Sequence, residues 1–284
     1  MNRLIGVRCK QERPEMKKVL KYPDSKWNIA AQIVDLIPKH HSYVEPFFGS
    51  GAVLFNKTPS DIETVNDLDS DVVNLFRCIQ EDPERLAWLL ATMPFSREVY
   101  DSQFTGGREG QEDPYMGAAG FLVRCWQGHG FRTTGGKVGW KNDVVGREKA
   151  YALRDWCSLP GWVIEIAGRL RMVQIENRPA LEVVKRFDHP GVFQYWDPPY
   201  LLGTRNRKQY KHEMSDGEHE ELLRAAVASC AKIMISGYES EMYNGYLQGW
   251  HKKYFKSCAE QGRPRTEVLW MNYQAGQMDI RDFI

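Results

Sequence analysis

The amino-acid sequence predicts an α/β fold, a mostly parallel sheet with helices on both faces and a smaller domain inserted into it. Three observations carry that expectation. Short apolar runs with strand character alternate with helical stretches toward both ends of the chain. The first run opens into a Gly-rich turn, Phe47-Phe48-Gly49-Ser50-Gly51, followed at once by an apolar helix start. A later run, Val192-Phe193-Gln194-Tyr195-Trp196, stops abruptly at Asp197-Pro198-Pro199-Tyr200. At 284 residues the chain is long enough for one sizeable α/β domain and a smaller companion.

Ser42-Tyr43-Val44-Glu45 reads as the first strand, and Gly49 and Gly51 in the turn after it permit close backbone approach to a ligand. No Gly-Lys-Ser/Thr follows, so this is not a Walker loop. Asp61 to Asp67 reads as the second strand. In doubly wound folds an acidic residue at that strand end bonds the ribose hydroxyls of an adenosine-containing cofactor, although Asp67 or Asp69 would equally well cap the helix starting at Ser70. After residue 95 the alternation gives way to Gly, Arg and aromatic residues. Within this stretch Thr133 to Lys141 is either a β-hairpin turning at Gly135-Gly136 and entering a major groove, or an exposed loop. Arg147 to Leu170 reads as a helix with Trp156 and Trp162 toward the core. Strands near 173–176, 192–196, 232–236 and 267–272 then alternate with helices near 178–187 and 215–229. Ligands in such sheets bind at the carboxyl ends of the strands, so Glu45, Asp67 and Asp197 can converge on one cleft.

The tetrapeptide carries the most specific chemistry. The exocyclic amine of a nucleobase is a poor nucleophile, because its lone pair is delocalised into the ring. Acceptors placed on its two N–H groups favour the pyramidal form that attacks a methyl donor. The Asp197 carboxylate and the Pro198 carbonyl can supply them, paired prolines hold the turn through their fixed φ, and Tyr200 can stack on an extruded base. The plainer alternative is a Pro-Pro turn that ends a strand, with Asp197 solvated or capping.

Together these motifs resemble the Dam-type, alpha-group DNA adenine methyltransferases, in which the glycine turn precedes the tetrapeptide, and particularly the small phage and prophage members. Lys21-Tyr22-Pro23-Asp24-Ser25-Lys26-Trp27 resembles the family's amino-terminal motif, with Asp24-Ser25 standing where paired glycines are usual. Ile175-Glu176-Asn177 resembles the segment that approaches the cofactor's adenine, and Arg205, Tyr210, His219, Lys232 to Tyr238 and Arg265 to Asn272 match later segments in order. The resemblance implies a Rossmann-like methyltransferase sheet over 1–87 and 166–284, with a target-recognition domain at 88–165. It implies S-adenosyl-L-methionine as cofactor, held by Tyr22, Lys26, Glu45, Phe47, Gly49, Gly51, Asp67 and Asp197. The implied substrate is adenine in double-stranded DNA, flipped out of the stack, with Asp197, Pro198 and Tyr200 at the reacting 6-position amine. Transfer to cytosine's amine or to RNA, and a catalytically silent nucleic-acid-binding regulator, are the competing expectations. A companion restriction enzyme is neither required nor excluded.

Charge and cysteine usage narrow the classes. A net charge of +1 neither demands nor excludes nucleic acid, so local clusters matter more. Arg124, Arg132, Lys137 and Lys141, interleaved with aromatics and glycines, and Arg205, Arg207 and Lys208 just after the tetrapeptide are the candidate phosphate contacts. The six cysteines are scattered with no Cys-x-x-Cys pair, so neither zinc nor a disulfide framework is expected. His40-His41 reads as a solvated helix-end pair and not a metal site. The first residues are polar and charged and no apolar run approaches a membrane span, so the expectation is a soluble, cytoplasmic protein with no membrane partner and no metal.

Overall fold

The computed structural model describes residues 16–105, 113–130, 133–142, 151–204, 209–258 and 264–276. A short helix α1 (Ala30–Val34) leads into strand β1 (Ser42–Glu45), the glycine turn and α2 (Ala52–Asn56). Strand β2 (Ile62–Asn66) is followed by α3 (Ser70–Glu81), α4 (Pro83–Thr92), α5 (Arg97–Thr105), α6 (Pro114–Gln127) and the long α7 (Tyr151–Leu170). The second half alternates β3 (Val173–Glu176), α8 (Ala180–Arg186), β4 (Val192–Trp196), α9 (Asp216–Ala228), β5 (Lys232–Gly237) and α10 (Glu241–Tyr246), then closes with β6 (His251–Cys258) and β7 (Pro264–Met271).

The seven strands form one sheet in the order β3-β2-β1-β4-β5-β7-β6. β1 to β5 are parallel, whereas β7 runs antiparallel to both β5 and β6. From the β1–β4 pair the chain winds outward in both directions. The connections on either side therefore leave a crevice at the carboxyl ends of these two strands. β4 is buried at every position, which explains its apolar and aromatic character; its polar residue Gln194 donates to the Val184 and Phe187 carbonyls. β6 escaped sequence reading because it is an edge strand: His251, Lys252, Lys253 and Tyr254 are all exposed, and lysines on an edge discourage pairing with other chains.

Polar signals set the helix starts. Asp69 caps α3 by accepting from the Asp71 amide, and Asp82 caps α4 ahead of Pro83. Ser215 and Glu218 form a reciprocal capping box that starts α9. α8, α9 and α10 cover one face of the sheet around Val44, Trp196, Ile233, Ile235 and Trp270. The helices from α2 to α7 cover the other in one continuous apolar cluster that includes Tyr43, Phe55, Leu86, Trp126, Trp156 and Ile166. The expected boundaries at 87/88 and 165/166 thus fall inside α4 and α7, and the intervening helices share the core of the sheet.

A buried ion cluster fastens α7 to that sheet. Both terminal nitrogens of Arg169 donate to the Glu63 carboxylate on β2, and the Lys57 ammonium lies 2.5 Å from Glu63 Oε1. All three side chains are nearly inaccessible. His40 is part of the same neighbourhood and not solvated: its ring bonds the Pro38 carbonyl and the Ser60 hydroxyl, each at 2.7 Å, and burial lowers its pKa.

The segment 133–141 does not form the expected hairpin. Its turn lies at Thr133-Thr134, residues 135–139 are irregular, and a single antiparallel bridge joins Gly128 to Trp140. The tie is made instead to the loop after the tetrapeptide, where the Thr133 amide and hydroxyl both donate to the Gln209 carbonyl at 3.2 Å. Among the described residues no helix is long and apolar enough to cross a membrane.

Candidate active site

One cleft of about 340 Å³ opens at the carboxyl ends of β1 and β4, where the winding of the sheet places it. Tyr22, Lys26, Glu45, Phe47, Gly49, Asp67 and Asp197 all line it, although they come from widely separated parts of the chain. Gly51 lies just behind its wall as the N-cap of α2. The lining is mainly apolar, with Phe47, Pro179, Ala180 and Leu181 among the apolar surfaces.

The glycine turn is built tightly around two aromatic rings. Gly51 has φ +68°, and a Cβ there would stand 2.6 Å from the rings of both Phe48 and Phe55. Gly51→Ala is therefore expected to destabilise the fold by about 2–4 kcal/mol, combining left-handed strain with overpacking. Gly135, with φ +83° and open space around it, supplies the comparison. There the same substitution incurs only the backbone term of about 1–2 kcal/mol, and thermal melts of the two variants separate the contributions.

Asp67 both shapes the turn and faces the cleft. Its Oδ2 accepts from the Gly49 amide at 2.8 Å and its Oδ1 from the Asp69 amide at 2.8 Å. Asp69 is the residue that caps α3, and it lines the cleft beside Asp67. Asn66 stitches the neighbouring strand exits together, donating to the carbonyls of Pro46 and Arg178 and accepting from the Arg178 amide. Asn177 ties to the Asp67 and Leu68 carbonyls, and the residues that follow it, Pro179 to Leu181, line the cleft.

Asp197 sits at the end of β4 within a dense charge network. Its Oδ1 lies 3.2 Å from the Lys26 ammonium and accepts from the Ser236 hydroxyl at 2.6 Å. Lys26 also donates to the Asp24 carbonyl at 2.8 Å and lies 3.7 Å from Glu267 on β7. Lys26 is buried; desolvation by itself would lower its pKa, but Asp197 and Glu267 outweigh that and hold it above its ordinary value. Its ammonium therefore addresses the carboxylate of the tetrapeptide, in addition to lining the cleft. Pro198 is buried beneath the turn while Pro199 lines the cleft. Tyr200 is buried, with its ring edge-on to Tyr238 at 4.5 Å and the Lys26 ammonium 4.8 Å from its centroid.

The departure at Asp24-Ser25 has a structural answer. Asp24 takes φ +50°, the one positive value at a non-glycine among the described residues, so it adopts the backbone that a glycine would otherwise supply. Tyr210 donates to its Oδ2 at 3.1 Å, and Ser25 and Ser50 share a 2.7 Å hydroxyl contact that joins this turn to the glycine turn. Sequence reading missed Glu267, Ser236, Ser50 and Thr133, because their partners are tens or hundreds of positions away.

Burial governs the acids. It raises the Glu45 pKa to about 8, a value tempered by the Tyr43 hydroxyl, which donates at 2.8 Å, and increased by Asp197 nearby. It raises Asp67 to about 6, against the backbone amides that favour the charged form. Each folded value lies above the ordinary carboxylate range, so the folded state binds more protons than the unfolded one in between. Their contribution to stability is accordingly full below about pH 4 and is lost as pH rises toward about 6 for Asp67 and about 8 for Glu45. Thermal melts between pH 4 and pH 8 are expected to show this decline, flattened at its upper end in Glu45→Gln.

The basic candidates are divided. Arg124 is buried in α6 against Asp71 at 3.3 Å, so it is a packing residue and not a surface phosphate contact. Lys141 is half-buried and donates to the Trp126 carbonyl at 2.8 Å, which likewise gives it a structural role. Lys137 remains on the surface, paired with Asp101 at 2.9 Å. Arg132, Arg205, Arg207 and Lys208 lie outside the described residues.

Comparison with known proteins bears on this cleft directly. Residues 22–119, which carry the amino-terminal motif, the glycine turn and Asp67, match the family model of the D12 class N6 adenine-specific DNA methyltransferases. The type II methyltransferase M1.LlaDCHI of Lactococcus lactis subsp. cremoris is 26% identical over 228 residues, covering 74% of this chain and 75% of that protein. The type II methyltransferase M.MjaIII of Methanocaldococcus jannaschii is 26% identical over 269 residues, covering 84% and 90%. With a seven-stranded, mostly parallel sheet of Rossmann-like methyltransferase type and a cleft at its switch point, the chain resembles the D12 class N6 adenine-specific DNA methyltransferases, and the activity these findings support is methylation of adenine in DNA.

Proposed function

We propose that the protein transfers the methyl group of S-adenosyl-L-methionine to the 6-position amine of an adenine flipped out of double-stranded DNA. The observation that supports this most is the meeting of Asp197, Lys26, Glu45 and Asp67 in one cleft at the switch point of the sheet.

The donor set fits the cofactor. Asp67, anchored by two backbone amides, offers acceptor capacity for ribose hydroxyls. The carboxyl oxygens of Glu45 and Asp197 can accept from the amino-acid end, and Phe47 and Leu181 give apolar surface to a purine. Tyr22 stands against this turn, since a Cβ on Gly49 would meet its ring at 3.2 Å. When bound, the cofactor supplies an electrophilic methyl on a sulfonium.

The remaining work falls to the chain itself. Asp197 accepts a hydrogen bond from the target amine and the Pro198 carbonyl accepts another, which favours the pyramidal nucleophile. Tyr200 provides the aromatic wall for the base. Lys26 keeps the Asp197 carboxylate charged within a buried setting, and Glu267 balances the lysine. The loop 209–214 lines the cleft, is tied through Thr133 to the segment 133–142, and with that segment is the proposed DNA-facing rim, on which Lys137 and Lys211 are exposed cations paired with Asp101 and Asp69. The segment 88–165 carries the target-recognition role, and its described helices pack on the core of the sheet. A cytoplasmic protein is the reading that a DNA substrate supports.

Transfer of labelled methyl groups to unmethylated genomic DNA, followed by digestion to nucleosides, tests the reading. Label in N6-methyladenosine supports it. Label in methylcytosine, or label appearing only with RNA, replaces it.

A further inference from the structure

Resting on that reading, we infer that Ser236 is a positioning residue for the transfer: its hydroxyl fixes Oδ1 of Asp197, so that the other carboxylate oxygen is presented to the amine. Ser236 lies on β5, beside β4, and is wholly buried. Its hydroxyl donates to Asp197 Oδ1 at 2.6 Å, a short bond of the kind made to a charged acceptor. The alternative acceptor, the Trp196 carbonyl, is farther away at 3.4 Å. Tyr195 in turn donates to Ser236 Oγ at 3.2 Å. A chain Tyr195 to Ser236 to Asp197 therefore runs in one direction, each donor polarising the next.

The second polar partner of Asp197, Lys26, also reaches Oδ1. Two donors on one oxygen define the carboxylate's rotation. They also stabilise the ionised form, the one able to accept a hydrogen bond from an amine, against a burial that raises the Asp197 pKa. The other charged groups around Asp197 are Asp24 ahead of Lys26, Glu45 at the end of β1 and Glu267 on β7. The phenols of Tyr195, Tyr200, Tyr210 and Tyr243 are all raised by burial and do not titrate on the acid side. All of these groups are shared by wild type and a Ser236 variant, so a difference between their pH profiles reports the serine.

The experiment is single-turnover methyl transfer to DNA as a function of pH for wild type, Ser236→Ala, Ser236→Thr and Tyr195→Phe, with cofactor affinity measured in parallel. Loss of a hydrogen bond to a charged group is expected to slow Ser236→Ala by about 10–100-fold. Its acid limb should move to higher pH, because Asp197 protonates more readily. Cofactor affinity should hold, Ser236→Thr should regain most of the rate, and Tyr195→Phe should shift the limb in the same direction by less. A Ser236→Ala enzyme with wild-type rate and acid limb overturns the inference. So does equal loss of rate and cofactor binding in the Ala and Thr variants, which would mark Ser236 as space-filling. Asp197→Ala, which removes the acceptor, separates the two levels: if it is inactive while Ser236→Ala matches wild type, only the serine inference fails, whereas an active Asp197→Ala overturns the underlying reading as well.

Discussion

Asp197→Ala is expected to lower single-turnover methyl transfer to adenine by about a thousandfold or more, while cofactor affinity changes by only about fivefold. The asymmetry follows from the geometry. Asp197 is proposed to act on the amine at the moment of attack, whereas several other groups, Asp67 and the glycine turn among them, form the nucleoside end of the cleft. The variant should also remain folded. Lys26, left without its 3.2 Å partner, still has Glu267 at 3.7 Å and the Asp24 carbonyl at 2.8 Å, so its buried charge keeps compensation. A folded variant that loses cofactor binding and transfer in equal measure would show that Asp197 serves the cofactor and not the base. A variant retaining substantial transfer would remove the tetrapeptide from the mechanism.

Glu63→Gln is expected to produce the largest stability loss of any single polar substitution away from the cleft, about 3–5 kcal/mol. Glu63 is 2% exposed and is the shared partner of Arg169 and Lys57, so neutralising it leaves two cations facing each other in the interior. In a chain of this size such a loss corresponds to a fall in Tm of roughly 10 °C. Burial works to raise the Glu63 pKa, but Arg169 and Lys57 hold it below its ordinary value. The unfolded state therefore binds the proton first on acidification, and the stabilisation present at neutral pH is lost as pH falls through and below the ordinary carboxylate range. The exposed pair Arg186–Glu176 is the control. Arg186→Met should change stability by less than about 1 kcal/mol, since solvent screens that pair. Equal small effects for both variants in chemical denaturation would show that the buried cluster does not hold α7 to the sheet.

Much of the catalytic half of the molecule is legible in the sequence because its signals are local. The apolar and aromatic run Val192–Trp196, interrupted by Gln194, reads as a strand, and Asp197-Pro198 ends it. The glycine turn declares itself by its closely spaced glycines, of which Gly51 has no room for a Cβ, and Asp67 by its place at the end of the second strand, where the sequence alone leaves helix capping equally open to it. The region 88–142 is read less well. Pro114–Gln127 falls in the stretch where the sequence shows no strand-helix alternation, yet it is a buried helix packed against α3, α4 and α5. Arg124 looks like a phosphate contact until Asp71, far away in sequence, is seen to neutralise it.

The contrast follows from what each kind of interaction depends on. Strand, turn and cap are decided by backbone sterics and by side chains within a few positions, so the sequence suffices for most of the strands, the glycine turn and the strand ends at which Glu45, Asp67 and Asp197 sit. Whether a cation is buried or solvent-facing depends on which distant carboxylate folding brings to it, and so does the state of an acid. Lys26 against Asp197 and Glu267, Ser236 beneath Asp197, and Arg169 with Lys57 around Glu63 all arise from such long-range pairing, which only the packed chain defines.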